Sequence, residues 1–104
     1  MKTTDLTQFN LIPLNIAEDR QISTGFAGDL LSIVISKAPT NAVWFTVMNN
    51  VNVIAVATLS DVSAVVICDA DISEDLISKA KENNVNLFKS NCDVYSTIKL
   101  VGEL

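Results

Sequence analysis

Two short segments that are almost entirely apolar constrain the fold most. They read AVWFTV over residues 42–47 and AVVICDA over residues 64–70, and both are rich in β-branched or aromatic side chains. Strands that are apolar on both faces are typical of parallel sheets covered by other elements on both sides. A third segment, VNLF over residues 85–88, has the same character. We therefore predict at least three buried strands in one parallel sheet.

The segments between these strands are predicted to be helices, because a parallel pair needs a crossover of about a dozen residues, usually helical. The β-branched residues of 49–63 favour a strand, but the crossover argument favours a helix that Asn50 caps. Residues 71–84 carry apolar residues at helical spacing behind a capping Ser73, and residues 91–104 show a similar spacing. All three segments are therefore predicted to be helical.

The first third of the chain adds shorter elements. Residues 9–15 read as a strand, which a proline places at a sheet edge, and residues 21–26 read as a second extended stretch. Asp29 is expected to cap a helix over residues 30–38. The predicted fold class is α/β, a small layered domain with a mainly parallel sheet and right-handed helical crossovers. The 104 residues suit a single domain, 1–104.

Composition excludes several classes of function. The net charge is −5 and the seven Lys and Arg residues are scattered, so neither nucleic-acid binding nor a basic membrane-surface helix is expected. The first residues lack the apolar core of a signal peptide, so the expected location is the cytoplasm. The chain has no histidine, which argues against a Cys/His zinc site and against Ser-His or Cys-His nucleophiles around Cys68 or Cys92.

No other catalytic or metal-binding arrangement is apparent. Helix capping explains most of the carboxylates that follow the second buried strand, namely Asp69, Asp71, Glu74 and Asp75. General acid–base chemistry would need paired groups at a defined spacing, and none points to it. We expect no cofactor, no metal and no enzyme activity.

The segment EDRQISTGFAGDLLS, residues 18–32, has three open interpretations. A glycine-rich turn before a helix can bind an anion through backbone N–H groups, although no P-loop lysine follows and Asp29 would repel a phosphate. In a structural interpretation, Gly25 and Gly28 allow close backbone approach, Arg20 pairs with a carboxylate or with strand-end carbonyls, and Thr24 satisfies a nearby backbone group. In the third, the glycines line a subunit contact.

The same segment resembles the DRTGG domain family. Asp19-Arg20, Thr24-Gly25 and Gly28 follow the order of the residues for which the family is named, and residues 28–32, 52–67 and 80–85 also look like that family. The resemblance covers nearly the whole chain. It implies a fold similar to the N-terminal domain of HPr kinase/phosphorylase. Family members occur alone, beside CBS domains in regulated pyrophosphatases, and in phosphotransacetylases, where the domain looks regulatory or dimer-forming and supplies no catalytic residues.

The expected function is therefore a non-catalytic regulatory or protein-interaction module, a homodimer with an unidentified protein partner. The helix over 30–38 is apolar around most of its circumference, which predicts burial on two sides and makes Leu31 and Ile35 candidates for the dimer interface. The alternative is a sensor of a nucleotide or another anionic metabolite. Its site would be the loop over residues 25–28 or the carboxyl-terminal tips of the strands.

Overall fold

The computed structural model describes all residues, 1–104. The chain begins with a 3-10 helix over Thr3–Phe9. The strands are β1 (Ile12–Asn15), β2 (Gly25–Ala27), β3 (Val43–Thr46), β4 (Ala64–Cys68) and β5 (Leu87–Ser90), and the helices are α1 (Leu31–Lys37), α2 (Asn52–Ser60), α3 (Glu74–Glu82) and α4 (Val94–Val101).

The five strands form one sheet in the order β1-β5-β4-β3-β2. Strands β2 to β5 are parallel, and β1 closes one edge antiparallel to β5. The α/β fold with a mainly parallel sheet is therefore confirmed, and so are the three buried strands and the edge position of the proline-containing strand.

The sheet separates two apolar cores, because successive side chains of a strand point to opposite faces. Trp44 and Val65 belong to the core beneath α1, α2 and α3, whereas Phe45 and Val66 belong to the core beneath the 3-10 helix and α4. This three-layer arrangement explains why β3 and β4 are apolar at nearly every position. The longest helices have nine residues, and no helix is long and apolar enough to cross a membrane.

The helix boundaries test the predicted caps. The segment before β4 is helical, as the crossover argument required, and the strand alternative is wrong. Ser73 caps α3 as predicted by accepting a hydrogen bond from the Leu76 N–H at 3.1 Å. Asp29 does not cap α1, because the helix starts one residue later than predicted, after an extended Leu30.

Candidate functional site

The residues of the DRTGG-like motif do not form one loop. Asp19 and Arg20 precede the amino end of β2, and Thr24 leads into this strand. The predicted loop over residues 25–28 is instead strand β2 together with Gly28, and its register pairs Gly25 with Val43. The loop prediction is therefore wrong, whereas the extended stretch predicted over residues 21–26 is confirmed at Gly25 and Phe26. Because the inward-facing backbone groups of β2 bond to β3, they are not gathered into the concave cluster of N–H groups that holds a phosphate.

Asp19 ties the connection between β1 and β2 to the N-terminal 3-10 helix. One of its carboxylate oxygens accepts hydrogen bonds from the backbone N–H of Thr4 at 3.0 Å and from the Thr4 hydroxyl at 3.1 Å. The backbone N–H bond is the main reason why the pKa of Asp19 lies below its usual value. The next residue strengthens the same junction, since the Thr3 N–H donates to the Arg20 carbonyl at 2.9 Å.

The Arg20 side chain joins two segments at the amino edge of the parallel strands. Its guanidinium donates to the Val62 carbonyl at 2.9 Å, to the Asn41 side-chain carbonyl, and to the Asp61 carbonyl at 3.2 Å. It also forms an ion pair with the Asp61 carboxylate at 2.9 Å. Arg20 thus connects the turn before β3 to the turn after α2, and its hydrogen-bonding groups are directed into the protein.

A second organiser of the same edge, Asn86, was missed by the sequence analysis. This buried amide accepts from the N–H groups of Ala17 and Glu18 at 2.7 and 3.1 Å, and donates to the carbonyls of Glu18 and Ser63 at 2.7 and 2.8 Å. The available signal was a polar residue inside the apolar segment VNLF. A buried amide in such a segment needs partners, and here it holds the connection that carries Asp19 and Arg20.

The two motif glycines are needed for close packing. A Cβ atom on Gly25 would lie 3.2 Å from Leu104 Cδ1 and 3.3 Å from Phe45 Cε2, and one on Gly28 would lie 3.3 Å from Phe26 Cε2. Gly28 also bonds to β3: its N–H donates to the Phe45 carbonyl at 3.2 Å, and its carbonyl accepts from the Trp44 indole N–H at 2.8 Å. Thr24 contributes its carbonyl, which accepts from the Val43 N–H at 2.8 Å.

Asp29 fastens the other end of β2. One carboxylate oxygen accepts from the Thr46 hydroxyl at 2.8 Å and from the Val47 N–H at 2.9 Å. These donors lie at the carboxyl end of β3. The Asp29 carboxylate therefore bonds to β3 and not to the first turn of α1. Asp29, the predicted helix cap, therefore links the end of β2 to the end of β3.

The carboxyl-terminal tips of the strands, the other predicted ligand position, carry mainly negative charge. A cavity of about 260 Å³ is lined there by Asp69, Asp71, Lys89 and Asn91, together with Ala70. Asp29 follows β2 at this same edge of the sheet. One lysine against several carboxylates gives an anionic metabolite little electrostatic attraction. No group of three or more His, Cys, Asp or Glu side chains is arranged to hold a metal ion.

An apolar groove lies beside β2 on the α4 side of the sheet. It has a volume of about 240 Å³, and its lining includes Gly25, Ala27, Phe45, Ile98 and Leu104. The strand at its rim hydrogen-bonds to β3 alone, so its outer edge is open. An open strand edge beside an apolar groove is a surface suited to binding a peptide.

The two predicted interface residues of α1 have different surroundings. Leu31 is partly buried and packs against the core beneath the helices, so it serves the fold. Ile35 is 48% exposed, and its neighbours Leu30 and Ile33 are 64% and 42% exposed. The large apolar residues exposed in and next to α1 are therefore Leu30, Ile33 and Ile35, which we call the α1 patch.

Comparison with known proteins supports the fold. No protein-family model matches the chain, and no curated protein matches it. The chain is similar to a solved structure of the CBS and DRTGG domains of the regulatory region of Clostridium perfringens pyrophosphatase, in complex with its activator diadenosine tetraphosphate, with a TM-score of 0.75 at 15% identity. The similarity covers 92% of this chain and 43% of that one, so this chain spans less than half of its neighbour. The fold is DRTGG-like.

Proposed function

We propose that this DRTGG-like domain is a non-catalytic regulatory module, which forms a homodimer and acts by contact with another protein. The observation that carries the proposal is the α1 patch, since Leu30 just before one short helix and Ile33 and Ile35 within it are large exposed apolar residues. The neighbouring structure supports the regulatory part, because it comes from the regulatory region of a pyrophosphatase.

The α1 patch suits a two-fold contact. Its helix already packs one side, through Val34, onto the core beneath it. Ile33 and Ile35 are exposed on the two flanks of this packed side, roughly 160° apart around the helix, and large exposed apolar residues favour contact with another molecule. In a two-fold dimer each copy supplies the same surface, and a stable contact buries roughly 1,000 Å² or more in total. Leu59 on α2, which is 71% exposed, adds apolar area in the same layer of helices.

The charged residues of the motif support a role without catalysis. Both terminal nitrogens of the Arg20 guanidinium donate to protein acceptors, and the Asp19 carboxylate binds Thr4. Groups occupied in this way hold the fold together and have little capacity left to transfer a proton or to clamp a substrate. The motif is thus best explained as a structural support for the surfaces around β2.

A second candidate function is a nucleotide sensor. The specific observation in its favour is that the neighbouring structure contains a nucleotide activator. The acidic carboxyl-terminal edge around Asp69 and Asp71 weighs against an anion at that position. This candidate predicts that diadenosine tetraphosphate raises the melting temperature, since a ligand at 100 times its Kd stabilises a fold by roughly 2.7 kcal/mol.

Sedimentation velocity at protein concentrations between about 5 and 100 µM tests whether the protein forms a homodimer. The expected result is a dimer mass for the wild type and a monomer mass for Ile33→Glu with Leu30→Glu. Ser78→Glu is the matched control, because it adds a charge to an exposed position of α3 and should leave the mass unchanged. A monomeric wild type across this range contradicts the dimer, and a melting shift with the nucleotide would favour the sensor.

A further inference from the structure

The outer edge of β2 is open along its length. The Val43 N–H donates to the Thr24 carbonyl and the Gly28 N–H donates to the Phe45 carbonyl, so the even-numbered residues face β3. Because the N–H and C=O of a strand residue point to the same side, those of Gly25 and Ala27 point away from the sheet. Both residues are exposed and carry almost no side chain. Nothing in the sheet covers these backbone groups.

The opposite edge of the sheet is protected in the ways that strand edges usually are. Strand β1 contains Pro13, and its pairing with β5 is irregular between Pro13 and Asn15. Proline and irregular pairing both hinder the addition of another strand. Strand β2 has neither feature, so the two edges differ in their capacity to accept a strand.

The groove beside β2 adds a second element of recognition. Gly25 faces it, as shown by the closeness of its missing Cβ to Phe45 and Leu104. Ala27 has the same orientation by alternation, and it lines the groove. A strand added along β2 would therefore direct alternate side chains into a cavity of about 240 Å³, which is enough for one large apolar side chain.

A second copy of this chain does not suit this groove. Antiparallel pairing of β2 with its own copy would present Gly25 and Ala27 on the groove side, while Phe26 points to the other face, toward Val34. A hydrogen atom and a methyl group leave most of the groove empty, and empty apolar volume weakens a contact. The occupant must therefore have a large apolar side chain at the position that faces the groove.

Charge around the groove further defines the occupant. Glu103 is exposed beside the groove-lining Leu104, and Asp29, which is also exposed although one of its oxygens is bonded to the tip of β3, directly follows the β2–Gly28 segment. The nearest cation on α4, Lys99, lies over the Tyr95 ring with its Nζ atom 5.4 Å from the ring centre. With a net charge of −5 for the chain, a positively charged strand is favoured over a negatively charged one.

We infer that the open edge of β2 binds an extended, positively charged segment of a partner protein, which pairs with the backbone of Gly25 and Ala27 and seats one large apolar side chain in the groove. The inference rests on the proposed function, because it gives the interaction module its contact surface. Main-chain hydrogen bonds would provide affinity, and the groove and the flanking carboxylates would provide selectivity.

Fluorescence polarisation with a labelled peptide tests the inference. The probe is Lys-Thr-Val-Thr-Leu-Thr-Val-Thr-Lys, in which alternate residues are apolar and both ends are cationic. Replacing its central leucine by alanine should weaken binding about tenfold or more, since three methylene equivalents leave the groove. Replacing both lysines by glutamate should also weaken it, more at low salt than at high salt. Amide NMR signals of Gly25, Phe26 and Ala27 should shift on binding.

Two variants of the protein locate the site. Ala27→Pro removes an outward N–H and leaves the bonds to β3 intact, and Ala27→Leu fills the groove with the protein's own side chain. Both should weaken the peptide about tenfold or more, with circular dichroism to verify folding. Val51→Ser is the matched control, because it changes an exposed apolar residue before α2, outside both proposed contact surfaces, and should not affect the peptide.

The outcomes separate this inference from the homodimer. Peptide binding that is abolished by Ala27→Leu while the dimer mass is unchanged supports both proposals. Absence of peptide binding at millimolar protein, or binding that both Ala27 variants leave unchanged, contradicts the β2 site but not the dimer. A loss of dimer mass in Ala27→Leu would mean that a second copy occupies this edge, and the inference would then be wrong.

Discussion

Replacing Arg20 by alanine tests whether the charged part of the motif holds the fold together. The substitution removes the donors to the carbonyls of Val62 and Asp61 and to the Asn41 side chain, and the ion pair to Asp61. These acceptors belong to two different turns at the amino edge of the sheet. The substitution therefore separates the turns without removing any apolar side chain from the cores.

The burial of the partners sets the size of the effect. Val62 is buried, and a buried carbonyl that loses its donor costs about 1–3 kcal/mol. The ion pair adds about 0–1 kcal/mol, because the Asp61 side chain is 63% exposed and water screens the attraction. The bonds to the Asn41 side chain and the Asp61 carbonyl, which are partly hydrated, add to this loss. Arg20→Ala should therefore lower the free energy of unfolding by about 2–3 kcal/mol. The melting temperature should fall by about 10 °C or more.

Urea unfolding followed by tryptophan fluorescence is a suitable assay, because the single tryptophan, Trp44, is fully buried in β3. Asp61→Asn is the matched control. Asparagine tolerates the left-handed backbone of this position, φ 53°, and keeps the carbonyl acceptor while it removes the charge. We expect Asp61→Asn to cost less than about 1 kcal/mol.

Two results would refute this reasoning. A loss of less than about 0.5 kcal/mol in Arg20→Ala would mean that its hydrogen bonds contribute nothing net, below the ordinary range for bonds to buried groups. Equal losses in Arg20→Ala and Asp61→Asn would mean that the ion pair dominates and that the carbonyl acceptors are irrelevant. Either outcome would return the arginine to the set of groups available for a ligand.

Three further predictions concern the same supports and the two thiols. Asn86→Ala should lower the free energy of unfolding by about 2–4 kcal/mol in urea titrations, because several buried or half-buried partners lose their hydrogen bonds together. Because the pKa of Asp19 is lowered in the folded state, its carboxylate stabilises the fold above the unfolded-state pKa, and this stability is lost as the pH falls through the folded-state pKa. Below about pH 4, the urea midpoint of the wild type should therefore fall more steeply than that of Asp19→Asn. Burial raises the pKa of the Cys68 thiol, so a disulfide reagent at pH 8 should react quickly with the exposed Cys92 and with Cys68 only on unfolding, and two fast thiols would contradict the burial.

The buried strands were predictable because their sequence determines their surroundings on both faces. A segment such as AVWFTV can bury so many apolar side chains only when it lies between two layers. Parallel strands then need crossovers, and this requirement predicted a helix before β4 despite the β-branched residues there. The order of the strands does not follow from such local patterns, since it depends on long-range packing.

The segment over residues 25–28 was interpreted as a loop for a physical reason, although its first two residues were also predicted to be extended. Strand β2 has three residues, two of them Gly25 and Ala27, with almost no side chain to show a β pattern. Its extended conformation comes from pairing with β3 and from close packing against Phe45 and Leu104, neither of which is local in sequence. The misassigned cap at Asp29 has the same origin, because its donors, Thr46 and Val47, belong to another strand.

Arg20 and Asp29 share a structural role, because both support β2, which is an edge strand. A three-residue edge strand paired on one side gains little from its own hydrogen bonds, so it needs support at its ends. Arg20 supplies that support before the strand, and Asp29 supplies it after the strand by binding to the tip of β3. A strand fixed at both ends and open along its outer side is already in the conformation that pairing requires, and it loses little entropy when a partner strand is added. Arg20 and Asp29 thus hold the edge in the conformation that the proposed partner strand requires.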